Sequence, residues 1–135
     1  MATFTIKSTR SDLKLVLSEI KGDYFTASLE SSYLNATLKV YSYHYSPNAV
    51  GFAEFMEWIG GQDRPWDGSN DWQSLEGEFA VSAECSALGT VTFDVKFSHF
   101  SGAEDWKVNT KLMSELGQLP GLAKSARTFF GESTS

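Results

Sequence analysis

Residues 75–97, LEGEFAVSAECSALGTVTFDVKF, decide the fold because two runs of alternating apolar residues flank the turn signal Leu88-Gly89. Successive side chains of a strand point to opposite faces, so each run has one apolar face. The segment therefore predicts an antiparallel hairpin with one buried side. The inward positions are Leu75, Gly77, Phe79, Val81, Ala83, Cys85, Val91, Phe93, Val95 and Phe97, and the outward positions include Glu76, Glu78, Ser82, Glu84, Thr92, Asp94 and Lys96.

The same period of two recurs in other parts of the chain that are rich in β-branched and aromatic residues. Leu13, Leu15 and Leu17 alternate with polar positions, for example, and Gly22-Asp23 marks a turn before the next such run. These patterns predict further strands over residues 3–6, 13–17, 25–30, 35–45 and 106–112.

Two segments have the period of a helix instead. Phe52, Phe55, Met56 and Ile59 form one apolar stripe, with Ser46-Pro47 as a plausible start. Gly60-Gly61 marks the end of that helix, and a second helix is predicted at the C-terminus: its apolar positions are Leu119, Leu122, Ala123, Ala126, Phe129 and Phe130. We expect a single α+β domain over residues 1–135, with an antiparallel sheet of about six to seven strands packed on two α-helices.

The composition restricts the environment and the class of partner. There is no apolar run of signal-peptide or membrane-span length, so we expect a cytoplasmic protein without a membrane partner. Cys85 is the only cysteine, which excludes an internal disulfide and a cysteine-based zinc site. A net charge of −6 and a pI near 4.8 disfavour nucleic acid as a partner. The oligomeric state is left open.

The negative charge is concentrated in the centre of the chain. Between Asn48 and Cys85 there are eight acidic residues and one basic residue, Arg64, whereas the rest of the chain has nine acidic and ten basic residues. A solvated face that aids solubility explains such a run most simply. The functional alternative is a surface that steers a basic protein partner.

Catalytic and metal-binding patterns are weak. Asp67, Ser69, Asp71 and Glu78 match four positions of a calcium loop, but Trp72 stands where the template requires glycine. His44 and His99 belong to no catalytic spacing, and an inward-facing Cys85 would be inert. We predict Glu76 and Glu78 to be neighbours on one strand face, as a solvated pair. No catalytic residue, metal or cofactor is therefore predicted.

The segment between the first helix and the hairpin contains two tryptophans six positions apart, Trp66 and Trp72. Both can turn back onto one surface while the Gly-Ser-Asn tip between them stays in water. We expect Trp72 and Leu75 to be core anchors of this corner. Gly77 is expected to leave room for another element to press on the strand.

The string Trp66-x-Gly68-x-x-x-Trp72-x-Ser74-Leu75-Glu76-Gly77-Glu78 resembles a family of small uncharacterised bacterial proteins of unknown function. The resemblance covers nearly the whole chain and includes the helix start Gly117-Gln118-Leu119. The family is similar in layout to immunity proteins of the WapI type, which neutralise a toxin made by the same or a neighbouring cell. The resemblance implies a role in toxin inhibition.

We therefore expect a non-catalytic binding protein, an immunity-type inhibitor whose acidic surface occludes a basic toxin. Trp58 or Trp66 would supply an exposed aromatic anchor. The alternative is a small enzyme or small-molecule-binding domain, with a pocket between sheet and helices lined by Tyr41, Tyr43 and His44. The residues predicted to contact the partner are Glu54, Glu57, Trp58, Asp63, Trp66, Asp67, Asp71, Glu76 and Glu78.

Overall fold

A computed structural model describes residues 3–41 and 51–132. Within these residues the chain forms eight strands, two α-helices and one short 3-10 turn. In chain order they are β1 (Phe4–Lys7), β2 (Lys14–Lys21), β3 (Tyr24–Glu30), β4 (Asn35–Tyr41), α1 (Gly51–Gly60), β5 (Asn70–Gln73), β6 (Phe79–Cys85), β7 (Thr90–His99), β8 (Trp106–Glu115), the 3-10 turn (Leu116–Gln118) and α2 (Leu119–Glu132).

The strands form two antiparallel sheets of four strands each, in the orders β1-β2-β3-β4 and β5-β6-β7-β8. The prediction of one sheet of six to seven strands is therefore wrong, although the α+β class is confirmed. Alternation along a strand identifies its buried face but does not say which strands pair. Each sheet is an antiparallel meander of consecutive strands, and each meander is followed by a helix in the chain.

The hairpin that decides the fold has the predicted register. Phe79 pairs with Phe97, and Cys85 pairs with Val91 at the other end. The inward positions from Phe79 to Phe97 are buried, and Cys85 is only 8% exposed. Gly89 makes the turn with a positive φ of 86°, a conformation that glycine adopts without steric strain.

The beginning of this segment differs from the prediction. Residues 74–78 form a turn, because the Gly77 N–H donates to the Ser74 carbonyl at 2.9 Å and Gly77 has a φ of 76°. Leu75 is consequently 45% exposed and is not a core anchor. No other element presses on Gly77, since a Cβ added there would meet no atom within 4 Å. Glu76 and Glu78 both lie in this turn, so they are not neighbours on a strand face as predicted.

One core lies between the two sheets and the helices. The Phe52 ring of α1 lies 5.6 Å from the Phe4 ring of β1 and 5.8 Å from the Phe79 ring of β6. Phe25 of β3 contacts Phe130 of α2 at 5.4 Å. Burying a phenylalanine side chain stabilises the folded state by about 1.5–3 kcal/mol. Because these rings come from both sheets and both helices, their burial stabilises the packing of all four on one another.

The two helices pack on each other through their small residues. Gly60 ends α1, as predicted, and a Cβ added there would lie only 2.5 Å from the Ala123 Cβ of α2. The predicted start at Ser46-Pro47 lies outside the described residues. Among the helices formed by the described residues, none combines the length and apolar content needed to cross a membrane.

Candidate functional site

The outward face of α1 contributes three residues to the candidate site. The apolar stripe of α1 faces the core, so Glu54, Glu57 and Trp58 point away from it. Trp58 is 44% exposed, so part of its apolar ring is available to a partner.

Trp66 supports Trp58 from the loop that follows the helix. Their ring centroids are 5.6 Å apart in an edge-to-face arrangement, with an interplanar angle of 77°. The Trp66 indole N–H donates to the Ala83 carbonyl of β6 at 3.3 Å, and its ring is half-buried. Trp66 is thus fixed to the second sheet, whereas Trp58 presents part of its ring to solvent.

Four exposed carboxylates lie on α1 and on the loop that follows it: Glu54, Glu57, Asp63 and Asp67. Glu57 accepts from the Arg127 guanidinium of α2 at 2.8 Å, and Asp63 lies 3.5 Å from the Arg64 guanidinium. Both ion pairs are largely exposed, so each contributes at most about 1 kcal/mol to stability. We call this set the tryptophan surface, and it consists of Glu54, Glu57, Trp58, Asp63, Trp66 and Asp67.

Asp71 lies on a different side of the loop. It is an outward position of β5 opposite Ser82 of β6, whose hydroxyl donates to its carboxylate at 2.5 Å. This hydrogen bond, together with one from Ser69, holds the pKa of Asp71 below its ordinary value of 3.8. Asp71 therefore belongs to the outer face of the second sheet.

Glu76 and Glu78 lie at the opposite end of β6 from Trp66. The Glu78 carboxylate accepts from the Ser74 hydroxyl, which itself accepts the Phe79 N–H at 3.1 Å. The seven residues of β6 span roughly 20 Å. The nine predicted contact residues therefore do not form one patch, and six of them form the tryptophan surface.

The histidine and cysteine side chains of the described residues have structural surroundings. No group of three or more histidine, cysteine or acidic side chains there could hold a metal ion. The imidazole of His99 stacks on the Trp106 ring at 5.6 Å. Burial raises the pKa of the Cys85 thiol above its ordinary value of 9.0, which disfavours the reactive thiolate.

The pocket predicted between sheet and helices would be lined by three residues, of which the structure describes Tyr41. Tyr43 and His44 lie outside the described residues. Tyr41 packs edge-to-face on Tyr24, with ring centroids 5.3 Å apart. The space between the sheets and helices is occupied by the phenylalanine rings of the core.

A groove of about 370 Å³ on the outer face of the second sheet went unpredicted. Asp71, Ser82, Asp94 and Lys96 lie along it. The hairpin register could have revealed it, because Ser82 pairs with Asp94 and brings outward side chains of β6 and β7 side by side. The alternating pattern alone identifies these residues as solvent-facing and no more.

Comparison with known proteins gives one match. A family model described as a family of unknown function, DUF6228, matches residues 6–133. Neither a curated protein nor a solved structure matches the chain. The matched range contains both sheets and both helices, apart from the first two residues of β1, and the description names no activity, ligand or partner.

Proposed function

The chain belongs to DUF6228, a family of unknown function, and we propose that it is a non-catalytic binding protein of the immunity type. In this proposal it works in the cytoplasm, where its tryptophan surface covers a basic toxin domain. The observation that carries the proposal is the partly exposed Trp58 ring, which packs edge-to-face on Trp66 and shares the outward face of α1 with Glu54 and Glu57.

The arrangement has the features of a protein-binding hot spot. Large aromatic side chains near the centre of an interface supply most of its binding energy, and a polar rim excludes water around them. Trp58 can take the central position because Trp66 limits its conformational freedom before binding. The carboxylates Glu54, Asp63 and Asp67 form the rim.

The charge of the rim suits one class of partner. A nuclease toxin needs a basic surface to hold phosphate groups, and an acidic inhibitor competes for those cations. Opposite charges also accelerate encounter, which matters for an inhibitor that must act before the toxin does.

Binding of a basic toxin domain encoded beside the gene for this chain tests the proposal. We expect Trp58→Ala to weaken the complex by at least about 2 kcal/mol, as truncation of a hot-spot residue does. Leu88→Ala is the matched control, because Leu88 is a 94% exposed apolar residue in the β6–β7 turn. Unchanged affinity of the Trp58 variant, measured by calorimetry, would contradict the proposal.

A further inference from the structure

Strand β8 is an edge of the second sheet, and another described segment covers this edge only near its C-terminal end. Just after β1, the Thr9 N–H donates to the Met113 carbonyl at 3.0 Å. The Met113 N–H donates to the Ser8 hydroxyl oxygen at 3.1 Å. Both backbone groups of Met113 therefore point away from β7, and this edge already binds a second segment of the chain at one position.

The preceding half of the same edge is open in the part of the chain that the structure describes. In an antiparallel ladder, residues whose N–H and C=O face the neighbouring strand alternate with residues whose groups face away. The register of β7 with β8 is continuous, so the backbone groups of Lys107, Asn109 and Lys111 point the same way as those of Met113. No described backbone group bonds to these three residues on that side, and all three are exposed.

The open groups form a row that an extended peptide matches. Three N–H donors and three carbonyl acceptors alternate over about 13 Å, the length of four residues in a strand. The backbone of another strand repeats its own donors and acceptors at this spacing. A helix uses its backbone groups internally, and an anion would use the donors alone. The row therefore identifies the class of ligand as a peptide strand.

The side chains on the outer face of this edge select the charge of that strand. The outward positions of β7 and β8 along this stretch are Asp94, Lys96, Ser98, Lys107, Asn109 and Lys111. Three lysines and one carboxylate give a charge of +2. Glu104 and Asp105 lie before β8 in the β7–β8 loop, where the Asp105 carboxylate accepts the Ser101 N–H at 2.8 Å. Opposite charges on paired strands are stabilising, so an acidic strand is favoured.

A second copy of this chain does not suit the same edge. Antiparallel pairing of two β8 strands about Asn109 would place Lys107 opposite Lys111 of the second copy. Like charges in directly opposite positions are destabilising. Lysines on an edge strand commonly prevent this kind of self-association. The same lysines that exclude a second copy therefore favour an acidic segment from another protein.

We propose that the edge of β8 at residues 107–111 binds an extended acidic segment of a partner protein by strand addition. The carboxylates of the segment lie beside Lys107 and Lys111, and its alternate side chains lie on the same side of the sheet as Trp106 and Val108. Trp106 is 37% exposed, so apolar residues suit these alternate positions. The surface is at the opposite edge of the sheet from β5, and the inference does not depend on the proposed function.

Amide hydrogen exchange of the isolated protein tests the open edge. The amides of Lys107, Asn109 and Lys111 should exchange at least about a hundredfold faster than those of Val108 and Thr110, which face β7. Equal protection of all five amides would mean that another segment of the chain already covers the edge, and it would overturn the proposal.

The binding probe is the peptide acetyl-Glu-Val-Glu-Val-Glu-amide, followed by amide chemical shifts. We expect saturable shifts at the three edge amides, with a dissociation constant on the order of 1 mM. The same peptide with lysine in place of glutamate should bind at least about tenfold more weakly. Absence of shifts at these amides, or equal binding of the two peptides, would overturn the proposal.

Methylation of the peptide backbone distinguishes strand addition from attraction between charges. N-methylation of the glutamates removes the N–H groups that would face β8, so this peptide should not bind. N-methylation of the valines alters the N–H groups on the far side and should preserve binding. Both peptides keep the three carboxylates. Equal binding of the two would show that the backbone of β8 takes no part.

Substitutions at the centre of the edge locate the peptide. Asn109→Pro removes one outward N–H and keeps the hydrogen bonds to β7, since proline is tolerated on an edge strand. It should weaken peptide binding at least about tenfold, whereas the matched control Asn109→Ala should leave it unchanged. If Asn109→Pro lacks a native amide spectrum, the double variant Lys107→Gln and Lys111→Gln takes its place, with the same expected loss. Undiminished binding by the folded variant would overturn the proposal.

Discussion

Thr110 places a hydroxyl group on the inner face of β8, opposite the fully buried Val95. Its Oγ1 atom is buried and has no hydrogen-bond partner in the described part of the chain. Burying a hydroxyl without a partner destabilises the folded state. Thr110→Val should therefore raise the free energy of unfolding by about 0.5–1 kcal/mol, as measured by urea denaturation.

Thr37→Val is the matched comparison for this prediction. The Thr37 hydroxyl lies 3.3 Å from the hydroxyl of the buried Ser28, so the same chemical change leaves Ser28 without that partner. We expect this variant to lose about 1 kcal/mol. Destabilisation of the two variants by equal amounts would show that Thr110 has a partner after all.

Single residues also show the limits of reading burial from alternation. The pattern places Phe79 and Cys85 inward correctly, since both lie within a regular strand. It misplaces Leu75, because β6 begins at Phe79, four residues later than predicted. The Phe79 N–H donates to the Ser74 hydroxyl oxygen, which stabilises the turn before the strand. A side-chain hydrogen bond of this kind replaces a backbone hydrogen bond between strands. The spacing of apolar residues does not indicate where this happens.

Helix packing is decided by one glycine. Gly60→Ala would force the new methyl group within 2.5 Å of the Ala123 Cβ, so the two helices would have to move apart. We expect a loss of about 1–3 kcal/mol in the free energy of unfolding, measured by thermal or urea denaturation, the usual range for overpacking.

Gly121→Ala is the control for helix propensity. Gly121 lies in α2, is exposed, and would place a Cβ where no atom lies within 4 Å. Alanine favours a helix by up to about 1 kcal/mol relative to glycine, so this variant should be more stable than the natural chain. Stabilisation of both variants would mean that the helices do not approach as closely as described.

Replacing Trp72 and replacing Trp58 should have different effects on the free energy of unfolding. Trp72 of β5 packs against the Phe52 and Phe79 rings at 5.1 and 5.3 Å. Trp72→Ala should therefore destabilise the protein by about 3–5 kcal/mol. Trp58→Ala should destabilise the protein clearly less, since Trp58 is 44% exposed. Similar losses for the two variants, measured by urea denaturation, would contradict these assignments.

At the level of elements, the sequence predicts the helices and seven of the eight strands in the described residues. Strand β5 is missed because it has only four residues and stands among glycine, serine and asparagine, which are typical of loops. The division into two sheets is missed because pairing depends on contacts between distant segments. The contacts between Phe25 and Phe79, for example, join residues that no local pattern relates.

Across the whole molecule, the acidic segment is divided by the fold. Trp66 of the tryptophan surface lies near the Ala83 end of β6, whereas Glu76 and Glu78 lie at the other end, before Phe79. Sequence order predicts which residues carry the charge. It does not predict this division, because β5 carries the chain along the sheet from the loop at Asp67 to the turn that contains Glu76 and Glu78.

The rate of association with a basic toxin domain tests the central claim most directly. Neutralising Glu54, Asp63 and Asp67 together should slow association at least about tenfold at low salt, with little change in the melting temperature. A control that neutralises Glu19, Glu76 and Glu104 removes the same charge from other exposed sites and should slow it much less.

Stopped-flow measurements over a range of salt concentrations give the decisive comparison. Exposed charges are screened beyond a Debye length of about 10 Å at 0.1 M salt, so the difference between the natural chain and the first variant should shrink as salt rises. We therefore expect these two rates to converge at high salt, as steering by the acidic surface requires. Association that is equally fast for the natural chain and both variants, and independent of salt, would contradict it.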